Sequence, residues 1–391
     1  MLRDDASEFV YLNNAATSWP KPPQVLNAVQ ESLISPFVGG GRSSGSDAQD
    51  YIWDARTAVA GLLGVCDEER VLFSHNATDA LNTLIHGFLS AHSGPVHVIS
   101  SVLEHNSVLR PLWELKQAGR IELTLLPMKG AYLDLDTVSD SVRSETKLAV
   151  LNHGSNVLGS VQDLDRAGKI LHESGVYVIA DGAQTAGHVP LVFDQLAIDA
   201  YAFTGHKALF GIPGTGGFII KDPEEITPIR YGGTGSNSVS LNHPRDLPER
   251  FEAGTHNFPG LAALTAGIDF IQTTGQKSIE EKGIRQSRMM IDGLKAEPNI
   301  TIYNETPDLP IISLNIDGLD NEDLGFILTR AYRIITRSGL HCAPLVHKET
   351  DGGRGSVRLS LSWFTTDEEC IRAVQVIREV ARSANSQISQ A

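Results

Sequence analysis

From about Arg70 to Phe203 the chain alternates short apolar runs with longer stretches in which apolar residues recur every three or four positions. The runs are "RVLFS" ending at Ser74, "VHVIS" ending at Ser100, "KLAVLN" ending at Asn152, "VYVIA" ending at Ala180 and "IDAYAF" ending at Phe203. After the first comes a stretch carrying Leu81, Leu84 and Phe88; after the second comes "SVLRPLWELKQAG". The period thus switches between that of a strand and that of a helix. Each run is apolar almost throughout, as strands covered on both faces are. The pattern predicts an α/β fold, with a mainly parallel sheet wrapped by helices.

Near Asn257 the pattern changes. A long helix-prone segment runs through "LAALTAGIDFIQTTG" and "SIEEKGIRQSRMMIDGLKAE", and strand-like runs "LPIISLNID" and "GSVRLSLSWF" follow. The sequence therefore predicts a large domain over residues 15–256 and a smaller α+β C-terminal domain over 257–391, with residues 1–14 packing against the latter. The polar stretch Thr234 to Arg250, which carries two prolines, reads as a protruding loop or hairpin between them.

Open parallel sheets bind ligands beyond the carboxyl ends of their strands. Those ends carry His75-Asn76-Ala77-Thr78, then Glu104-His105, then "HGSNVLG" with Asn156, then Asp181 with Gln184, and finally Thr204, His206 and Lys207. Singly, each has a plain structural reading. Asp181 could cap a helix begun by "GAQTAG", Thr78 could be an N-cap, His105 a packed core histidine and Lys207 a surface lysine. Together they suit one chemistry. A phosphate is met by helix N-terminal amides and hydroxyls, a pyridine nitrogen by a carboxylate, a flat ring by a stacking partner and an aldehyde by a lysine.

Composition narrows the options. With 41% hydrophobic and 20% charged residues among 391, the chain is an ordinary globular one. Its net charge of −15 argues against an electrostatic grip on nucleic acid or on an anionic membrane. The acidic start "MLRDDASEF" lacks an apolar core and is not read as a signal peptide, and no apolar run reaches membrane-spanning length. Three cysteines, Cys66, Cys342 and Cys370, make no disulfide framework, so a cytoplasmic setting is expected.

The segments "SNVLG", "ADGAQ", "TGHK" and "RFEAGT", in this order, resemble fold type I pyridoxal phosphate (PLP) enzymes of aminotransferase class V. Within that group "RSGLHCA", Arg337 to Ala343, is similar to the active-site segment of group II cysteine desulfurases and selenocysteine lyases. The resemblance implies that Lys207 binds PLP covalently and that Asp181 pairs with the pyridine nitrogen. Asn156 and Gln184 would meet the ring oxygen, and His105 would stack on the ring and serve catalysis. Ala77, Thr78, Thr204 and His206 would hold the phosphate. Thr255 would reach the phosphate of a neighbouring subunit, which implies a homodimer. Arg358, with Asn156 beside it, would bind the substrate carboxylate, work suited to a planar guanidinium. Cys342 would take sulfur from L-cysteine as a persulfide, release L-alanine and pass the sulfur to an acceptor protein. Glycine, proline and His341 around Cys342 suit a reactive thiol, whose pKa basic neighbours lower.

The segment departs from its relatives in three places. Leu340 stands where histidine is common, "NATD" replaces a paired-threonine phosphate segment, and Gly39 to Gly45 lacks a histidine often found there. These bear on substrate choice, with selenocysteine lyase or another PLP-dependent C–S lyase as the alternatives. Other classes fit less well. No G-x-G-x-x-G follows the first strand, as a nucleotide-dependent oxidoreductase would need, and His341, Cys342 and His347 lack a second half-site for a metal. A non-catalytic scaffold has no use for Lys207, Asp181 and Cys342 together.

Overall fold

The computed structural model describes residues 9–35, 50–236 and 239–388. The expectation for Gly39 to Gly45 therefore lies outside the described residues. Seven strands form the large sheet: β1 (Val71–Ser74), β2 (Val96–Ser101), β3 (Ile121–Leu126), β4 (Thr146–Asn152), β5 (Tyr177–Asp181), β6 (Ala200–Thr204) and β7 (Gly216–Ile220). They lie in the order β1-β7-β6-β5-β4-β2-β3, parallel except for β7, which runs antiparallel to both neighbours.

Buried strands need apolar residues at both alternating positions, because helices cover both faces. Leu148 and Val150 of β4 pack on one face with Leu84 and Leu112, from the helices α3 (Ala77–Ser90) and α4 (Asn106–Gln117). Ala149 and Leu151 of the same strand pack on the other face. There they meet Val59 of α2 (Tyr51–Leu63), Leu171 of α5 (Leu164–His172) and Leu264 of α6 (Phe258–Thr274). The helix α1 (Pro23–Ile34) packs against α6.

A second, antiparallel sheet of β8 (Ile300–Ile302), β9 (Ile311–Ile316), β10 (Arg337–Gly339) and β11 (Ser356–Ser360) has the order β8-β9-β11-β10. Its core takes in Met290 and Leu294 of α7 (Gln276–Leu294), Leu324 of α8 (Asn321–Tyr332) and Ile377 of α9 (Asp367–Ile388). Val10 and Leu12 join that core, and Val10–Tyr11 pairs in parallel with Ile334–Ile335. Residue 257 caps α6, yet Leu261, Leu264, Ile268 and Ile271 of that helix belong to the core of the large sheet. The change of core falls along the helical segment that follows 257.

The strand β7 escaped the sequence pattern because its opening Gly216-Gly217 resembles a turn. Its register explains the glycines. Gly216 pairs with Ser74 of β1 and Thr204 of β6, so it sits among the carboxyl ends of the parallel strands. A Cβ there would lie 2.7 Å from Asn76 Cα and 2.8 Å from the Asn76 carbonyl carbon. Gly216 thus lets the N-terminus of α3 rest on the sheet. Between Thr234 and Arg250 no strand or helix forms among the described residues, so the segment is a loop and not a hairpin; Val239 and Leu241 in it are exposed.

Overpacking of this kind costs about 1–3 kcal/mol. Gly216→Ala should lower unfolding stability by roughly that amount, read as a shift of the urea midpoint at unchanged slope. A variant of parental stability would show that α3 is not seated by this contact.

Candidate active site

The carboxyl ends of the parallel strands and one edge of the small sheet enclose a cavity of about 530 Å³. Its lining includes Ala77, Thr78, His105, Asn156, Asp181, Gln184, Thr204, His206, Lys207, Cys342 and Arg358. Of the residues expected in the site, Thr255 alone stands apart. It lines a separate cleft with Phe73, Asp79 and Arg230.

Local structure explains each placement. Asn76, not Thr78, caps α3: its side chain accepts the N–H of Asp79 at 3.0 Å. That leaves the amides of Ala77 and Thr78 in the first turn, where backbone N–H groups have no intrahelical acceptor. His105 caps α4, its Nδ1 accepting the Ser107 N–H at 3.0 Å, so the remaining ring proton belongs on Nε2. "GAQTAG" forms turns and no helix. Asp181 still accepts one backbone N–H, from Ala183 at 3.0 Å, through Oδ1. Its Oδ2 has only a long contact of 3.4 Å with the Ser107 hydroxyl. Asp181 is 2% exposed and lines the cavity, so a weakly bonded carboxylate oxygen is held there.

The small sheet supplies the opposite wall. Val357, Leu359 and Leu361 enter its core, as alternation predicts, and Arg358 points the other way. Arg358 is 4% exposed, so it is not a solvated strand arginine. It donates to the Asn156 carbonyl at 2.9 Å and to Asn13 Oδ1 at 3.4 Å, leaving Nε unpaired. Among the described residues no carboxylate pairs with it.

Cys342 is exposed and free, on a turn where His341 and Cys342 adopt left-handed backbone with φ of 49° and 58°. Non-glycine residues avoid that region, and a run of two is held only by its surroundings. Two bonds hold it. Asn156 Nδ2 donates to the His341 carbonyl at 2.7 Å, and the Asn106 N–H donates to the Cys342 carbonyl at 2.7 Å. The thiol is thereby tied to the first turn of α4 and to Asn156.

Electrostatics follow from burial. The Lys207 ammonium is pushed down to about 8, chiefly by desolvation; Asp181 opposes the shift and Arg358 adds to it. Lys207 is partly exposed and lines the cavity. Burial likewise holds His105 down to about 4 and His206 down to about 4, so both rings are neutral near pH 7. Arg358 falls only to about 10 and stays charged. His341 was expected to assist Cys342 as a basic neighbour. It is 6% exposed, bonded at Nε2 to Ser356 and pushed down to about 2 by burial first, so it brings no positive charge to the thiol.

Sequence reasoning assigned no role to Glu104, Ser107 or Arg337. Ser107 bridges His105 and Asp181, and its place two residues into a helix opened by histidine was the available signal. Glu104 is fully buried beneath the site, accepting from Ser101 Oγ at 2.6 Å and the Asn152 N–H at 2.8 Å. Burial raises it to about 8, so it stands protonated at neutral pH.

The aminotransferase class V family model matches residues 10–372. The chain belongs to this family. Within the family it is 31% identical, over 97% of its own length and 96% of the relative's, to a probable cysteine desulfurase of Methanothermobacter thermautotrophicus. It is 29% identical to a cysteine desulfurase of Shigella flexneri, over 95% and 93% of the two chains. A solved apo structure of a cysteine desulfurase from Thermococcus onnurineus superposes with a TM-score of 0.90 at 29% identity, covering 96% of each chain. A cysteine desulfurase from Escherichia coli gives 0.87 at 28%, over 96% and 95%.

Because the folded pKa of Lys207 lies below its unfolded value of 10.5, the unfolded chain binds that proton more tightly. The native state is penalised below about 8 and recovers as pH rises from there towards 10.5. In the protein freed of any cofactor, Lys207→Met should therefore raise stability by roughly 1–3 kcal/mol at pH 7. The gain should shrink at pH 9. Urea unfolding at both values checks this, and a variant no more stable than the parent at pH 7 would contradict the burial argument.

Proposed function

We propose that this chain is a PLP-dependent cysteine desulfurase that converts L-cysteine to L-alanine and takes the sulfur onto Cys342. One observation carries the reading: an amine of lowered pKa, a buried carboxylate with one weakly held oxygen, a buried guanidinium with an unpaired Nε and an exposed thiol face one cavity.

The residues fit the cofactor. Thr204 Oγ1 and His206 Nδ1 are buried with no partner, next to the free first-turn amides of α3, which is a cradle awaiting a phosphate. Lys207 would bind the aldehyde, Asp181 would face the pyridine nitrogen, and the neutral His105 ring would lie on the ring face. Gln184 Nε2 already donates to the Ala15 carbonyl at 3.0 Å and Asn156 Nδ2 to His341, so each has one N–H left for the ring oxygen. When bound, PLP supplies an electron sink at the carbon bearing the substrate amine.

Arg358 binds the substrate carboxylate, with Asn156 beside it. The Lys207 amine, neutral above about 8 and partly so below, accepts the α-proton. The Cys342 thiolate attacks the substrate sulfur. A new S–S bond forms, the C–S bond breaks with its electron pair left on the β-carbon, and protonation there together with return of the α-proton from Lys207 gives alanine. The persulfide left on Cys342 sits at an exposed position, open to an acceptor thiol.

Thr255 lies outside the cavity of its own protomer, which suits the reading that it completes the phosphate cradle of a partner in a homodimer. A monomeric protein with full cofactor occupancy would contradict that. The three cysteines are unpaired and no helix among the described residues is long and apolar enough to cross a membrane, which supports a reducing, cytoplasmic setting.

The function is tested on Cys342→Ala. With L-cysteine the parent should release alanine and acquire a mass increment of one sulfur on Cys342. The variant should bind cysteine with about the same affinity yet lose about four to six orders of magnitude in turnover, the scale of losing a member of a catalytic unit. Equal turnover would reduce Cys342 to a surface thiol, and a parent that makes no alanine would refute the desulfurase itself.

A further inference from the structure

The carbonyl oxygen of His206, in the peptide that joins it to Lys207, accepts from four donors of one short segment. These are the Ser18 N–H at 3.1 Å, Thr17 Oγ1 at 3.1 Å, Ser18 Oγ at 3.2 Å and Lys21 Nζ at 2.8 Å. Lys21 Nζ also donates to Ser18 Oγ at 2.8 Å. Lys21 is only partly exposed, and burial pushes its ammonium down to about 8. Among the described residues no carboxylate pairs with it. A half-buried cation bonded solely to neutral oxygens is a costly feature unless an anion comes close.

The phosphate cradle has the opposite imbalance. A phosphate ester carries about −1.5 to −2 charge at neutral pH. Yet Ala77, Thr78 and Thr204 offer only amides and hydroxyls, and His206 is neutral, its ring held down by burial first and then by the charges of Lys207 and Lys21. Lys207 is engaged with the cofactor aldehyde in the reading above, and Arg358 with the substrate carboxylate. Lys21 is bonded to the His206 carbonyl, its charge is felt by the His206 ring, and it is used by no step of the reaction.

We propose that Lys21 is a positioning residue for the cofactor phosphate: its ammonium fixes the His206–Lys207 peptide and supplies the positive charge that the amide and hydroxyl cradle lacks. The inference rests on the PLP reading of the cavity. It assigns the segment Thr17–Lys21 a task beyond closing the fold.

The charge separates this role from a merely structural one. Lys21→Gln keeps a donor for the His206 carbonyl and removes the charge; Lys21→Arg keeps the charge. Full-length enzyme is stripped of its cofactor and titrated, by fluorescence or equilibrium dialysis, with PLP and with pyridoxal, which lacks the phosphate. Lys21→Gln should weaken PLP binding by about tenfold or more, the size of one partly screened ionic contact, while pyridoxal changes by less than about twofold. Lys21→Arg should restore most of the PLP affinity. Equal losses for PLP and pyridoxal would make Lys21 a structural tie only, and unchanged PLP affinity would remove it from the phosphate site; either result overturns the inference. Should Lys21→Gln not fold, the comparison of Lys21→Arg with the parent decides, since a loss above about tenfold for PLP in that charge-retaining variant contradicts a charge role. A parent that takes up no PLP overturns the cofactor reading itself, an outcome distinct from these.

Discussion

Positive charge held out of water without a matching carboxylate is the constraint around which this structure is organised. Arg358 and Lys207 converge on one cavity, and Asp181 is the carboxylate that faces them there. Glu104, beneath, is protonated near neutral pH and neutralises nothing. An uncompensated charge in such a place is expensive. In the proposed function, substrate and cofactor anions would relieve the imbalance, with binding energy drawn from groups the fold has already desolvated.

Two structural devices hold those groups in place. The carboxyl ends of β4, β5 and β6 lie side by side: register sets Asn152 level with Asp181 and Asp181 level with Ala202, so Thr204 follows two residues further along β6. The small sheet is then tied to that edge through short links: Arg358 to the Asn156 carbonyl, Asn156 to the His341 carbonyl, and Asn106 to the Cys342 carbonyl. The segment from Asn14 to Lys21 crosses between the two, bonding Ser360 on one side and His206 on the other. The left-handed turn at His341 and Cys342 is stable because these ties determine it. Its conformation presents the thiol to solvent at the mouth of the cavity.

Much of this was legible in the chain. Strands covered on both faces must be apolar at every position, so five of the parallel strands could be read directly, and their ends named most of one wall of the cavity, while Arg358 and Cys342 of the opposite wall came from the resemblance. What escaped did so for physical reasons. The strand β7 opens with Gly216 and Gly217 because α3 packs against it, and close approach looks like a turn when only residue types are seen. Thr78 was a natural cap by type, but Asn76 made the hydrogen bond. His341 looked like a base beside a thiol, whereas burial keeps it neutral, a property of surroundings that neighbours in sequence do not reveal. Glu104 was seen only as a polar residue at a strand end and Lys21 not at all, since their bonds to Asn152 and His206 join residues far apart along the chain.

The account turns on Lys207 being the one amine that the fold has desolvated and aimed at a cofactor aldehyde. Borohydride reduction of the PLP-loaded protein, followed by proteolysis and mass spectrometry, reads this directly. The cofactor mass should appear on the peptide containing Lys207 and on no other, in an amount close to one per chain. Attachment to Lys21 or to any other lysine, or a protein from which reduction recovers no fixed cofactor, would contradict the account.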